Sequence, residues 1–310
     1  MQKIINRAYI SGLGAIGGAY GSILYDADRN SVKVIVDAER LARYTEKGIT
    51  VNGKRYDFDY VLPVRADTYA DLILVAVKGH HLDAAIESIK PFVGDNTVIM
   101  SLLNGITSED TLARTFGAEK ILHAFCVGTD AVREGTDIRY GKPGKIVFGD
   151  RYNKNSENVN AVKAFFDRIG FPHTVPEDIM RELWWKFMMN VGINQTSAVL
   201  RAPYGVYNRI VEATELMYAA SMEVLPLAQK EGINLGEDDI RNYLDIIGTL
   251  SPNGKTSMLQ DVEAGRKTEV ESFALTVIEL GKKHGIPTPI NDVLYRMIRV
   301  IEKTYPDPCK

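Results

Sequence analysis

Short hydrophobic runs alternate with helical periodicity along the first half of the chain. The runs that predict buried strands are Ala8–Ile10, Val32–Val36, Asp71–Val77 and Thr97–Leu102. Segments with helical periodicity follow them over residues 18–25, over residues 38–47 and from about Leu82. This alternation is typical of an α/β domain built on a parallel sheet. After Pro176 the pattern becomes helical almost to the end, apart from turn clusters at 201–205 and 251–254, which predicts a second, helical domain.

Two stretches interrupt the alternation in the first half. An Asn52-Gly53 turn between short strand-like runs predicts a hairpin or a small insertion. From Ile121 to Phe148, short strands punctuated by glycines predict antiparallel additions to the sheet. A helix near Asn158–Ile169 and a strand at Phe171–Val175 would then close the first domain.

A glycine-rich turn directly follows the first predicted strand and opens a helix. It reads Gly12-Leu13-Gly14-Ala15-Ile16-Gly17. Gly12 permits the tight turn, Gly14 lets the backbone approach a pyrophosphate, and Gly17 lets helix and strand pack closely. The strand–turn–helix context predicts a Rossmann-type dinucleotide-binding domain over residues 1–176, whereas a glycine-rich turn without a ligand is the alternative.

An acidic residue ends the second predicted strand. Asp37 lies twenty residues after Gly17, where a carboxylate accepts hydrogen bonds from the ribose hydroxyls and repels a 2′-phosphate. That favours NAD(H) over NADP(H), although Arg40 could offset the repulsion by binding a phosphate itself. Alternatively, Asp37 caps the helix over residues 38–47. The cofactor preference stays open, with a slight lean to NAD.

Two polar residues follow the third and fourth predicted strands. Lys78 ends the apolar run at 71–77, and Asn104 follows the run at 97–102. Ligands of open α/β sheets bind beyond the carboxyl ends of the strands, so we expect both residues near a cofactor or substrate. A solvated lysine and a turn asparagine are the alternatives.

The segment Trp184–Asn194 is almost entirely apolar, apart from one lysine and two asparagines. Lys186, Asn190 and Asn194 are spaced by four residues, so they form one polar stripe on a helix. A buried ammonium or amide group is costly without a partner, and a polar ligand would supply one. Alternatively, Lys186 snorkels to solvent and the asparagines bond neighbouring helices. The first interpretation makes residues 177–310 a substrate-binding and catalytic domain.

Two further polar residues lie in the helical half. Ser257 begins a Ser-x-x-Gln pattern with Gln260, which predicts a helix capping box. A cap can still serve a ligand, because a helix N-terminus attracts carboxylates. Glu269, twelve residues later, lies in what reads as an ordinary charged start of a helix.

Composition excludes several classes of protein. With 37 basic and 40 acidic residues among 310, the net charge is −3 without a long run of one sign, so nucleic-acid binding is not indicated. Cys126 and Cys309 are far apart, and a reduced, cytoplasmic compartment is the simpler interpretation; their roles stay open. No run is long enough to span a membrane, and the five histidines lack ligand spacing, so we expect a soluble, unprocessed protein without a metal.

With these residues the chain resembles the ketopantoate reductase (2-dehydropantoate 2-reductase) family over nearly its whole length. Besides the glycine turn, the matching segments are Leu103-Asn104-Gly105, Trp185-Lys186-x3-Asn190-x3-Asn194, Ser257–Asp261, Thr268-Glu269 and Gly285–Asn291. The family reduces 2-dehydropantoate to (R)-pantoate with a nicotinamide cofactor, usually NADP(H), on the route to pantothenate and coenzyme A. The resemblance therefore implies an NAD(P)-dependent oxidoreductase with a small-molecule 2-keto acid substrate.

The resemblance also implies roles for individual residues. Lys186 matches the catalytic lysine, which protonates the carbonyl oxygen as hydride reaches the carbon. Asn190 and Asn194 match side chains that hold the hydroxyl and carbonyl side of the substrate. Ser257 matches a contact to the substrate carboxylate, and Glu269 matches an active-site carboxylate.

The chain has one further match to the family and differs from it at two positions. Asn104 matches a residue close to the nicotinamide and substrate. Where many relatives carry an arginine for the 2′-phosphate of NADP, this chain has Asp37. Where some relatives place another substrate-binding asparagine, ten residues after Asn194, it has Tyr204.

The departures leave three alternatives to distinguish. The first is the 2-dehydropantoate reductase, and the second is an NAD-dependent D-2-hydroxyacid dehydrogenase for other branched or aromatic 2-keto acids. The third is a non-catalytic dinucleotide sensor, although the sensor alternative predicts erosion of the polar residues that this chain retains together. The helical second domain could form a homodimer, but no heptad run identifies an interface, so the oligomeric state is not readable from the sequence.

Overall fold

The computed structural model describes residues 3–64 and 68–305. The chain divides into two compact units. The first runs up to Ile179 without residues 105–107, and the second consists of those three residues and the chain from Met180 onward.

The first unit contains two sheets. Its strands, in the described part of the chain, are β1 (Ala8–Ser11), β2 (Val32–Ile35), β3 (Ile49–Val51), β4 (Lys54–Tyr56), β5 (Asp59–Val61), β6 (Leu72–Val75), β7 (Val98–Ser101), β8 (Ile121–Thr129), β9 (Val132–Glu134), β10 (Asp137–Arg139), β11 (Pro143–Gly149) and β12 (His173–Thr174). The larger sheet has the order β12-β11-β8-β7-β6-β1-β2-β5. From β5 to β8 all neighbours are parallel, which confirms the α/β prediction.

The central strands are buried along their whole length. Every residue of β1, β6 and β7 is buried, as expected for near-continuous apolar runs that are covered on both faces. In the parallel register Ile10 lies opposite Val34 on one side and Leu74 on the other. This register brings the carboxyl ends of β1, β2 and β6 to one edge of the sheet.

Helices cover the larger sheet. They are α1 (Ala15–Ala27), α2 (Ala38–Lys47), α3 (Leu82–Ile89), α4 (Ser108–Phe116) and α5 (Glu157–Arg168). The first helix begins three residues earlier than the periodicity indicated, because the glycine turn itself opens it. Tyr20 and Leu24 of α1 pack into one core cluster, and Ile86 of α3 and Leu112 of α4 pack into another. Burying each of the leucine and isoleucine side chains among them contributes about 1.5–3 kcal/mol to folding.

The smaller sheet has the order β4-β3-β10-β9. Asn52 and Gly53 have φ values of 49° and 80°, so the predicted hairpin between β3 and β4 is confirmed. The prediction that residues 121–148 only add antiparallel strands to the main sheet was wrong in two respects. β8 pairs parallel with β7, and β9 and β10 leave the main sheet to join β3. Their three-residue length and exposed positions, such as Val132, suit a small outlying sheet better than a buried position.

The second unit is helical, as predicted. Its α-helices, within the described residues, are α6 (Ile179–Leu200), α7 (Tyr204–Tyr207), α8 (Val211–Met222), α9 (Val224–Lys230), α10 (Glu237–Thr249), α11 (Ser257–Glu263), α12 (Thr276–His284) and α13 (Pro289–Lys303). A π-helical turn, Glu271–Leu275, precedes α12. Phe187, Met188 and Val191 of α6 are at most 1% exposed and lie in the main core of this unit. Within residues 3–64 and 68–305, no helix is both long and apolar enough to cross a bilayer.

Candidate functional site

The glycine turn between β1 and α1 leaves no room for side chains at two of its positions. Gly12 has a φ of 101°, which L-residues rarely adopt. A Cβ at Gly17 would lie 1.8 Å from the carbonyl oxygen of Gly12, so the start of α1 packs directly against the turn. Gly14 is the N-cap of α1, and its lack of a side chain keeps the first helical N–H groups accessible to an anion. The turn therefore fits a dinucleotide pyrophosphate.

Asp37 caps the helix that follows β2. Its Oδ1 accepts a hydrogen bond from the backbone N–H of Arg40 at 2.7 Å, and the Arg40 guanidinium pairs with its Oδ2. Both side chains are about half exposed, at 47% and 48%, so this ion pair contributes little to stability. The capping alternative is thus confirmed. A carboxylate can accept further hydrogen bonds, so capping is compatible with a ribose contact.

Lys78 and Asn104 follow the carboxyl ends of β6 and β7, which are neighbours in the sheet. Both residues are half-buried. Lys78 begins the short 3-10 turn Gly79–His81 that leads into α3. The two residues therefore occupy the edge of the sheet where ligands of this architecture bind.

A buried polar cluster, which the sequence does not predict, is formed by residues on both sides of Asn104 in the chain. Ser101 at the end of β7 and Ser108 at the start of α4 are 2.7 Å apart through their hydroxyl oxygens, which ties together the ends of the segment that carries Asn104. The Ser108 hydroxyl donates to Glu109 Oε2 at 2.9 Å. Burial raises the pKa of Glu109 to about 7, although hydrogen bonds from Ser108 and from backbone N–H groups oppose the shift. In the sequence, the only indication of this cluster is an acidic residue in the first turn of α4, shortly after Asn104. Acidic residues are common at helix starts, so this indication does not predict a buried carboxyl.

We expect Glu109→Gln to change the pH dependence of stability. The native carboxyl, with a pKa of about 7 against an ordinary value of 4.5, holds its proton more tightly than the unfolded chain does. Stability is therefore lost as pH rises from about 4.5 through about 7, and glutamine removes this loss. The free energy of unfolding of the variant, minus that of the parent, should rise by about 2 kcal/mol when the pH is raised from 5.5 to 8.5. Urea unfolding at the two pH values measures this difference.

The exposed Glu119→Gln variant is the matched control and should show no such gain. A Glu109→Gln variant whose stability relative to the parent is the same at both pH values would contradict a proton-binding carboxyl at this position.

The polar stripe of α6 meets the start of α11. Lys186 and Asn190 are half-buried, and Asn194 is 6% exposed. The Asn194 amide donates to Asn190 Oδ1 at 3.0 Å, and its own Oδ1 accepts from the Ser257 hydroxyl at 3.1 Å and the Met258 N–H at 3.3 Å. The structure thus brings Asn190, Asn194 and Ser257 into one hydrogen-bonded group.

Ser257 does not cap α11, so the capping-box prediction was wrong. The N-cap is Thr256, whose hydroxyl accepts from the Leu259 N–H at 3.2 Å and lies 2.5 Å from the Ser197 hydroxyl. Threonine is itself a good capping residue, and the contact to Ser197 fixes it in that place. Ser257 therefore occupies the first helical position, and its hydroxyl bonds Asn194 instead of the helix backbone.

Glu269 is buried, at 6% exposed, and precedes the π-helical turn. The expected charged start of an α-helix is therefore not what the chain forms here. Thr268 is anchored to α13, because Glu302 accepts from its N–H at 2.8 Å and from its hydroxyl at 2.7 Å. A π-turn often marks a functional position in helical proteins. The anchor fixes the backbone that carries Glu269.

Tyr204 is held at the start of α7 by the loop that leads to α11. Its N–H donates to the Gly254 carbonyl at 3.0 Å, and burial raises the pKa of its phenol. The ring packs against a cluster that includes Ile193 and Tyr243, with Met189 beside it. Met189 and Ile193 each directly precede an asparagine of the polar stripe, so this apolar and aromatic cluster packs on α6 beside the residues of that stripe.

No group of three His, Cys, Asp or Glu side chains that could hold a metal ion occurs among residues 3–64 and 68–305. Cys126 is buried in β8, and Cys309 lies outside the described residues.

Comparison with known proteins gives consistent matches along the chain. The family model described as ketopantoate reductase PanE/ApbA matches residues 8–153, and its C-terminal model matches residues 178–302. A 2-dehydropantoate 2-reductase from Aquifex aeolicus is 26% identical over 312 residues, covering 96% of this chain and 98% of the relative.

Solved structures match the fold over both units. A PanE/ApbA family ketopantoate reductase from Ralstonia eutropha is 26% identical with a TM-score of 0.82, covering 96% of this chain and 99% of that one. A D-mandelate dehydrogenase, solved with NADH and anilino(oxo)acetate, has a TM-score of 0.86 at 22% identity with the same coverage. At that identity the second likeness shows the fold alone.

Proposed function

The chain belongs to the ketopantoate reductase PanE/ApbA family, and from that premise we propose that it reduces 2-dehydropantoate to (R)-pantoate. Family members are NAD(P)-dependent oxidoreductases that act on a CH–OH group. The observation that carries the proposal is the polar group on α6 and α11, in which a half-buried lysine shares a helix face with two asparagines.

In this proposal Lys186 protonates the substrate. When bound, a reduced nicotinamide would supply hydride to the ketone carbon, and the electron pair of the C=O π-bond would move to the carbonyl oxygen as negative charge. The ammonium group of Lys186 stabilises that charge and donates a proton to the oxygen, which completes the alcohol. Because it lies one helical turn before Asn190, the lysine can act on an oxygen that the asparagines hold.

The asparagines and Ser257 orient the substrate. Since Asn190 Oδ1 accepts a hydrogen bond from Asn194, the donor half of the Asn190 amide is the half suited to a substrate oxygen. Asn194 is fixed on both sides, by Asn190 and by the start of α11. This rigidity favours a single substrate orientation and lowers the entropic cost of reaching the transition state.

A steady-state assay of 2-dehydropantoate reduction, run in parallel with NADPH and NADH, tests the proposed function. Efficient turnover with either cofactor is the expected result. Binding of a dinucleotide without turnover of any 2-keto acid would overturn the proposal and favour the non-catalytic sensor.

A second candidate function is the reduction of other branched or aromatic 2-keto acids. Tyr204, which packs with Tyr243 and Met189, is the observation that favours it, because an aromatic ring at this position replaces an additional amide. A substrate panel that includes phenylpyruvate and 2-ketoisovalerate distinguishes the two candidates. A kcat/KM higher for either compound than for 2-dehydropantoate would establish the second.

We propose NADH as the preferred cofactor, because an acidic residue, Asp37, follows β2 at the start of α2. Asp37→Arg is expected to shift the ratio of kcat/KM for NADPH to that for NADH by about tenfold or more, since it replaces repulsion of a 2′-phosphate with attraction. Asp37→Ser is the matched variant, because serine keeps the cap of α2 and removes the negative charge without adding a positive one. It should produce a smaller shift in the same direction. An unchanged ratio in Asp37→Arg would show that this position does not control the preference.

A further inference from the structure

An arginine of the smaller sheet contacts the glycine turn. Arg133, in β9, donates a hydrogen bond from Nη1 to the backbone carbonyl of Leu13, the residue between Gly12 and Gly14. The two partners are 120 positions apart in the chain, so only the folded structure brings them together. The contact joins a charged donor to the backbone of the turn proposed to hold the cofactor.

Arg133 is itself held on several sides. Its Nε donates to the Gly135 carbonyl at 2.7 Å, and its Nη2 donates to the hydroxyl of Tyr44 at 3.3 Å. The guanidinium carbon also lies 5.6 Å from the centre of the Tyr44 ring. Tyr44 is 3% exposed in α2, so the aromatic partner is rigid. A planar guanidinium makes such divergent contacts at once, whereas a lysine cannot.

The neighbouring strand packs on the same region. Ile138 of β10 is fully buried, and a Cβ added at Gly18 would lie 2.1 Å from its Cδ1. Gly18 follows the glycine turn in the first turn of α1. The smaller sheet therefore braces both the turn, through Arg133, and the start of α1, through Ile138.

Fixing the Leu13 carbonyl also fixes the next N–H group. In a planar trans peptide the C=O of one residue and the N–H of the next point in opposite directions. The carbonyl of Leu13 and the N–H of Gly14 belong to one peptide, so a carbonyl directed to Arg133 turns the Gly14 N–H to the opposite side. An N–H at the second glycine of such a turn is suited to a pyrophosphate oxygen.

We propose that Arg133 is a positioning residue for the dinucleotide pyrophosphate, and that it acts through the Leu13–Gly14 peptide. The inference rests on the proposed use of the turn for a dinucleotide. Because the pyrophosphate is common to NAD and NADP, Arg133 should support the binding of both cofactors equally. It differs in this respect from Asp37, which discriminates between them.

Direct binding measurements test the inference. The Kd values of NADH, NADPH and ADP-ribose are measured for the parent and for Arg133→Met, without substrate. We expect all three Kd values to rise by about 10- to 100-fold, because the Gly14 N–H, no longer held in place, would lose its charge-assisted hydrogen bond to the pyrophosphate. In turnover, KM for the cofactor should rise while kcat at saturating cofactor stays within about twofold. Arg133→Lys, which keeps the charge but not the geometry, should restore only part of the affinity.

Arg139→Met is the matched control, because Arg139 lies on the neighbouring strand, is 75% exposed and pairs with Asp137 instead of the turn. Its Kd values should equal those of the parent. Equal Kd values for Arg133→Met and the parent would overturn the inference. Weakening confined to NADPH would also overturn it, since that result indicates a 2′-phosphate contact.

Two milder variants keep the test decisive if Arg133→Met does not fold. Arg133→Gln shortens the side chain, and Tyr44→Phe removes only the hydroxyl that accepts from Arg133. Parent-like Kd values in both folded variants would overturn the inference. Failure of the parent chain to bind any dinucleotide would instead overturn the proposed function, so the two failures are distinguishable.

Discussion

Lys186→Ala is expected to lower kcat for ketone reduction by about 10²- to 10⁴-fold, the usual contribution of a positioned acid. The side chain lies on the polar face of α6, one turn from Asn190, and alanine cannot protonate the oxygen that gains charge. Dinucleotide binding should be kept, because the residues proposed to hold the pyrophosphate and the ribose, which are the glycine turn and Asp37, are unchanged in this variant. Stopped-flow single-turnover measurements, combined with cofactor titration, separate the two effects.

The exposed Lys282 of α12 provides the control for Lys186, since Lys282→Ala removes the same charge from the same unit. That variant should keep the parent kcat. Full turnover by Lys186→Ala would refute the catalytic role, and an unchanged kcat with a raised KM would reduce the role to substrate binding.

Two alanine substitutions in the glycine turn are expected to fail in different ways. Gly17→Ala places a Cβ 1.8 Å from the backbone oxygen of Gly12, and neither atom is on a flexible side chain. The chain must shift to relieve the clash, so the variant should lose at least about 2 kcal/mol of stability. Gly14→Ala meets only the Ala76 carbonyl oxygen, at 3.6 Å, which is an ordinary contact. That variant should fold like the parent.

Gly14→Ala should nevertheless bind NADH and NADPH roughly tenfold or more weakly, because its methyl group occupies the space through which a pyrophosphate approaches the backbone. Thermal unfolding and cofactor titration of both variants provide the comparison. Parent-like affinity in Gly14→Ala would place the pyrophosphate elsewhere, and parent-like stability in Gly17→Ala would mean that the turn relaxes at little cost.

Much of the fold could be predicted because its determinants are local. The apolar runs that became β1, β6 and β7 are buried on both faces, so their strand character is visible in any short window of sequence. The helix over residues 38–47 was predicted to the residue, since Asp37 supplies an N-cap and Gly48 ends the helix with a φ of 74°. The stripe of Lys186, Asn190 and Asn194 follows from helical spacing alone.

The remaining features depend on partners that are distant in the chain. The route of β9 and β10 into a separate sheet depends on the edge of β3, which no short window contains. Choosing between Thr256 and Ser257 as the cap required the position of Ser197. The buried state of Glu109 was equally hidden, because an acid at the start of a helix usually faces solvent. In each case local chemistry allowed two outcomes, and a tertiary contact selected one.

The strand order of the larger sheet determines when each strand finds its partners during synthesis on the ribosome. Among the described strands β1 is synthesised first, yet it lies in the interior of the sheet. The last strand, β12 at His173–Thr174, forms the edge that lies farther from β1. The smaller sheet likewise cannot form until β9 and β10 have been synthesised and can pair with β3 and β4. At about 5–20 residues per second, the glycine turn spends on the order of ten seconds outside the ribosome before Arg133 has been made. Until β11 has been made, β8 has no neighbour on its outer side, so the nascent chain exposes a hydrophobic strand edge, which is the kind of surface that chaperones protect.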